Sequence, residues 1–134
     1  MELQDAFNEK KSKTLDKALS IALENVSKDR ALTQKLIDDA YKIIGNLNDA
    51  LMFFGLEKLG ELLLGLKKYL SNLVENALEL DDSKLTSEIE FIQSCCAMSW
   101  DLRTSTIEFS TEKKFLATES NESVFNSALL KLNG

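Results

Sequence analysis

The 134-residue sequence contains no proline and no histidine, only five glycines and one tryptophan, and no long apolar run. Without proline nothing interrupts a helix from within, and runs of the β-branched residues that favour strands are few, so an all-α chain is expected. Without histidine there is no Ser-His-Asp or Cys-His catalysis, none of the usual zinc or iron ligand sets, and no phosphohistidine relay. No apolar stretch approaches the ~20 residues of a spanning helix. The opening MELQDAFNEKKSK is charged where a signal peptide carries its apolar core. A cytoplasmic protein that does not enter membranes is therefore expected.

What is present fits a globular chain: 44% hydrophobic and 28% charged residues lie in neither the disordered nor the membrane range. No internal repeat or low-complexity linker divides it, so one domain over residues 1–134 is expected. Sixteen basic against twenty-two acidic residues give a net charge of −6, which argues against a nucleic-acid footprint or attraction to anionic lipid. Protein partners are favoured. Cys95 and Cys96 are adjacent, and neighbouring side chains on a helix diverge by about 100°. They are expected as free thiols, one or both serving as small core residues in a reduced compartment, since no partner Cys, His or basic cluster activates them.

Apolar periodicity places the helices. A first helix is expected from about Glu2 to Val26, with Leu3, Phe7, Leu15, Ala18, Ala22 and Val26 on one stripe and the Lys10-Lys11-Ser12-Lys13 run facing water. Ser27 or Asp29 can cap the next helix after a very short connection, which makes helices one and two antiparallel neighbours. The second helix runs from about Arg30 to Phe54, with Leu36, Ile37, Tyr41, Ile44, Leu47, Leu51 and Phe54 on or near one face. Gly55 stands where a left-handed residue ends a helix. The third runs from Leu56 to about Leu78, with Leu59, Leu62, Leu63, Leu66, Tyr69, Leu70, Leu73 and Ala77 inward. Glu79-Leu80-Asp81-Asp82-Ser83 breaks the pattern and supplies caps for a fourth helix carrying Leu85, Ile89, Ile92, Cys96, Trp100 and Arg103. Its end is open: TSTIEFST can continue the helix to Ile107 and Phe109, fray, or form a short extended piece. Thr118 or Ser120 then caps a fifth, shorter helix holding Val124, Phe125, Ala128, Leu129 and Leu132. The expected architecture is an up-and-down antiparallel four-helix bundle with a short fifth C-terminal helix.

The stretch FGLEKLGELLLGLKKYLSNLVENALELDD, residues 54 to 82, resembles the corresponding part of histidine-containing phosphotransfer domains, and most nearly the type found at the front of chemotaxis histidine kinases. In that family a phenylalanine-glycine-apolar turn ends the phosphoacceptor helix, a leucine-rich helix follows, and a segment similar to ELELDD leads to the fourth helix. A shorter fifth helix belongs to the same type. The resemblance covers nearly the whole chain and is specific over residues 40 to 85.

The family carries His-x-x-Lys-Gly on its acceptor helix. Laying the turn on Gly55 without gaps puts Gly45 at the histidine position, Asn48 at the lysine and Asp49 at the glycine. A second register keeps the motif's glycine at Gly45 and places Tyr41 at the histidine and Ile44 at the lysine, at the cost of a one-turn insertion. The gapless register also keeps Leu47, Leu51 and Phe54 inward. Neither supplies an imidazole. Relay needs a nucleophilic nitrogen whose phosphoramidate is labile; a tyrosine phosphate ester is no substitute, and glycine offers no nucleophile. The resemblance thus implies a domain without phosphoryl transfer, without a cofactor or metal, that still binds a response-regulator receiver or a histidine kinase domain. By resemblance, Gly45, Asn48, Asp49 and Met52, with Gly60, Leu64 and Lys67 on the third helix, border the docking face. Equally, Gly60 and Gly65 can let another helix approach closely, and Gly45 can be a tolerated helix glycine.

Two other classes stay in view. A small acidic helical chaperone or adaptor for a secretion or flagellar export substrate would suit the size, the charge and apolar residues such as Met52, Phe53 and Leu64. An enzyme built on the carboxylate pairs Asp38-Asp39 and Asp81-Asp82 is disfavoured, because helical binuclear metal sites want Glu-x-x-His pairs, and these aspartates suit a helix N-terminus and caps. Trp100 and Arg103 are expected as a core aromatic and a rim charge.

Overall fold

The structure is a computed structural model that describes residues 9–51, 57–109 and 119–134, with side chains described over 10–47, 57–102 and 122–134. Those residues form five helices: α1 (Glu9–Glu24), α2 (Arg30–Leu51), α3 (Glu57–Asn76), α4 (Asp82–Phe109) and α5 (Glu119–Asn133). Among the described residues there is no strand, and no helix is long and apolar enough to cross a membrane.

Helices α1 to α4 form an up-and-down bundle in which α2 packs between α1 and α3, α4 closes against α1 and α3, and α5 lies on α3. The antiparallel sense of α2 and α3 follows from two contacts: the Gln34 amide donates to the Val74 carbonyl, while Gly45, further along α2, lies beside Lys67, further back on α3. The two turns among the described residues, α1–α2 and α3–α4, are fixed by capping. The Asp29 carboxylate accepts from the Leu32 N–H and starts α2, and the Asp81 carboxylate accepts from the Lys84 N–H and starts α4. Of the two cap candidates before α2, Asp29 does the work. Asp82 instead pairs with Arg30.

Arg30 ties the two turns together. Its guanidinium donates to the carbonyls of Ala77 at 2.9 Å and Leu80 at 2.5 Å, the last acceptors of α3 and its turn, and also meets the Asp82 carboxylate. Carbonyls orphaned at a helix end are satisfied this way without a terminating glycine.

The core is a continuous leucine-rich layer: Leu15 and Leu19 from α1, Ile37, Ile44 and Leu47 from α2, six leucines from Leu59 to Leu73 on α3, and Leu85, Ile89 and Ile92 from α4. The inward stripes expected on α1, α3 and α4 are buried, except that Tyr69 and Trp100 are half-buried at the edge. Two positions depart from expectation. Tyr41 is only half-buried, packing against the core while it also lines the α2–α3 surface. Val124 is 56% exposed, because α5 turns Phe125, Ala128 and Leu132 inward instead. Of the outcomes left open for the end of α4, the helix continues through Ile107 to Phe109. Leu3, Phe7, Met52, Phe53, Phe54 and Gly55 lie outside the described residues, as do the side chains of Leu51 and Arg103.

Candidate partner-binding face

The outward surface between α2 and α3 is a groove of about 430 Å³ lined by Tyr41, Leu64, Lys67, Lys68, Ser71 and Asn72. The antiparallel register creates it. Tyr41 and Gly45 are one turn apart on α2, and Lys67 and Ser71 one turn apart on α3, so each pair shares a face. At Gly45 the missing side chain leaves room for the Lys67 stem, whose Cε would lie 3.6 Å from a Cβ there. Leu64, one turn before Lys68, is 42% exposed, and around Gly60, one turn further back, nothing lies within 4 Å of where a Cβ would be.

Four of the seven residues expected on the docking face are thus described, and the structure brings three together: Gly45, Leu64 and Lys67. Gly60 continues the same edge of α3 as open space, and among the described residues no helix approaches it. Asn48 and Asp49 lie in the last turns of α2 with side chains outside the described set, and Met52 lies outside the described residues altogether. Tyr41 and Gly45, the two positions at which the registers put a histidine, lie on one face of α2, one lining the groove and the other beside Lys67.

Gly65 has a different role. A Cβ there would come within 3.2 Å of Leu132 Cβ and 3.3 Å of its Cδ1, so this buried glycine is where α5 seats on α3.

A second polar site lies on the other side of α3, where Tyr69, Asn72, Asn76, Lys84, Glu88 and Lys131 line a pocket of about 260 Å³ beneath the end of α5. Glu88 is only 7% exposed. Its carboxylate accepts from the Tyr69 hydroxyl and pairs with Lys84 Nζ at 3.1 Å; Lys131 Nζ stands 4.0 Å from the centre of the Phe91 ring, which itself meets Tyr69 edge-on. A buried carboxylate is tolerated when both oxygens are partnered. Sequence reasoning missed Glu88, although Leu85, Glu88, Ile92 and Cys95 follow a three-four-three spacing that marks one helix face.

The remaining reactive groups are quiet. Cys95 and Cys96 are both buried free thiols. Burial pushes Cys95 up to about 11 against the pull of a Ser94 hydrogen bond and the Lys131 charge. It raises Cys96 further, with Cys95 and Asp16 adding to the effect. Neither is a thiolate near neutral pH. Asp38 and Asp39 pair with Lys42 and Lys35 along α2, and among the described residues no group of acidic, cysteine or histidine side chains could hold a metal. Compared with protein-family models, curated proteins and solved structures, the chain matches none.

Proposed function

We propose that this chain is a non-catalytic, phosphotransfer-like signalling domain that binds a two-component partner, a response-regulator receiver or a histidine kinase domain, through the α2–α3 face and takes no phosphoryl group from it. The observation that carries this reading is the groove beside Gly45. The position where the resemblance asks for an imidazole holds no side chain, yet a lysine stem lies beside it and an exposed leucine and a tyrosine share the groove. A cation next to the reacting position is what phosphoryl chemistry wants, but the nucleophile is missing from the whole sequence. The arrangement suits recognition without transfer.

The test uses purified receiver and kinase domains of the same organism and the full chain. Binding to one of them that is abolished by Gly45→Arg with Leu64→Arg, in variants that keep the wild-type circular dichroism, is the expected result. Acid-labile phosphate appearing on this chain after incubation with a phosphorylated receiver would overturn the reading, as would binding to none of these domains.

A further inference from the structure

Two sets of lysines on α2, α3 and α4 differ in their helical neighbours. Lys35, Lys42 and Lys84 each have a carboxylate one helical turn away and pair with it, the usual arrangement on a helix surface. Lys67 and Lys68 do not. Their neighbours three and four residues away are Leu63, Leu64, Leu70 and Ser71 for the first and Leu64, Gly65, Ser71 and Asn72 for the second. No ion pair reaches either lysine among the described residues. Both point into the α2–α3 groove, whose lining contains no carboxylate, in a chain whose net charge is −6.

We propose, resting on the function assigned above, that the α2–α3 groove receives an acidic amphipathic helix of the partner. Its apolar face lies on Leu64 and the Tyr41 ring, and its carboxylates meet Lys67 and Lys68. Two features favour this occupant. A groove between antiparallel helices matches a third helix laid along it, anchored by one apolar face. The two unpaired cations beside that apolar floor demand carboxylates at the edge of the same face, and a repelled basic helix is excluded by the same charges. Ser71 adds a hydroxyl that can donate to a carboxylate or accept from a backbone N–H.

The experiment measures fluorescence anisotropy of labelled synthetic helices with the full chain at low salt. The first helix has a leucine face flanked by glutamates, the second the same leucines flanked by lysines, and the third the glutamates with the leucines replaced by glutamine. Binding of the first, at least about tenfold weaker for the other two and weakening further as salt screens the charges, is expected. Lys67→Glu with Lys68→Glu should lose the acidic helix by about tenfold or more and gain the lysine-flanked one, whereas Lys35→Glu with Lys42→Glu should leave binding within about twofold. Gain of the opposite partner shows that the variant is folded. Equal binding of acidic and basic helices, indifference to Lys67→Glu with Lys68→Glu, or binding of a second copy of the chain in place of the peptide overturns the proposal. The receiver and kinase domains are assayed alongside. If they bind through Gly45 while the acidic helix does not, this inference fails and the proposed function stands; if the acidic helix binds and they do not, the reverse holds.

Discussion

Helix α3 carries polar groups on two sides, and the two sides treat charge in opposite ways. Toward α4, Tyr69 meets Glu88, Glu88 meets Lys84, and Lys131 rests over Phe91, so the buried Glu88 carboxylate is partnered on both oxygens. Toward α2, Lys67 and Lys68 stand beside an exposed leucine with no carboxylate in the groove. Asn72 lies on the ridge between, lining both. The physical difference is burial. A charge inside the bundle must be paired or the fold loses stability, whereas a charge at the surface costs little when left alone and adds little when paired. The first side therefore holds the protein together, and the second is free to be shaped by what it meets.

Substitutions that break the first side should have the largest effect. Glu88→Ala removes the acceptor of the Tyr69 hydroxyl and the partner of Lys84, with an expected loss of about 2 kcal/mol in urea unfolding. Lys84→Ala, whose ammonium is largely exposed, should cost much less.

The glycines of α3 sharpen the comparison at the next level. Gly60→Ala places its Cβ in open space and should stabilise the chain by about 0.5–1 kcal/mol through helix propensity alone. Gly65→Ala meets Leu132 at 3.2 Å, so the same propensity gain is offset or exceeded by displacing α5. Thermal melts of the two variants are expected to move apart, with Gly60→Ala the higher.

On the groove side, Lys67→Ser with Lys68→Ser should leave unfolding free energy within about 0.5 kcal/mol of wild type while weakening partner binding. A large loss of stability in this variant would mean that the groove lysines belong to the architecture after all.

The smallest effect concerns the buried thiol. Folding holds Cys95 protonated up to about pH 11, above the pKa of an exposed thiol near 8.5. The unfolded chain thus loses that proton first as pH rises, so the contribution of Cys95 is complete below about pH 8.5 and is lost as pH climbs through its folded value. The difference in melting temperature between wild type and Cys95→Ala should narrow between pH 8 and pH 10.5. In the native protein at pH 8, neither thiol should react with a disulfide reagent until denaturant is added.

Much of the fold was legible in the residues. Leucines at three- and four-residue steps named the buried faces of α1, α3 and α4, and the aspartates before α2 and α4 marked where those helices begin. What escaped was decided by third parties. Tyr41 obeys the α2 stripe and packs against the core, but its side chain stays half-buried at the groove between α2 and α3. Val124 sits beside Phe125 in a short helix with few apolar residues, and only docking on Gly65 determines which face turns in. Glu88 was not singled out because its partner, Tyr69, lies nineteen residues earlier on another helix. On the docking face, Gly45, Leu64 and Lys67 were grouped by the family resemblance alone, and the antiparallel register of α2 and α3 brings them near one another. The absence of a helical counter-ion for Lys67 and Lys68 was also in plain view.

Arg30 has a consequence for how such a chain can change over time. One guanidinium spans the carbonyls of Ala77 and Leu80 and the Asp82 carboxylate, so it measures the turn between α3 and α4 as a fixed length. An inserted or deleted residue there would strand its donors. Descendants of this sequence are therefore expected to keep that turn constant in length, to alter Arg30 and Asp82 together, and to tolerate insertions elsewhere first.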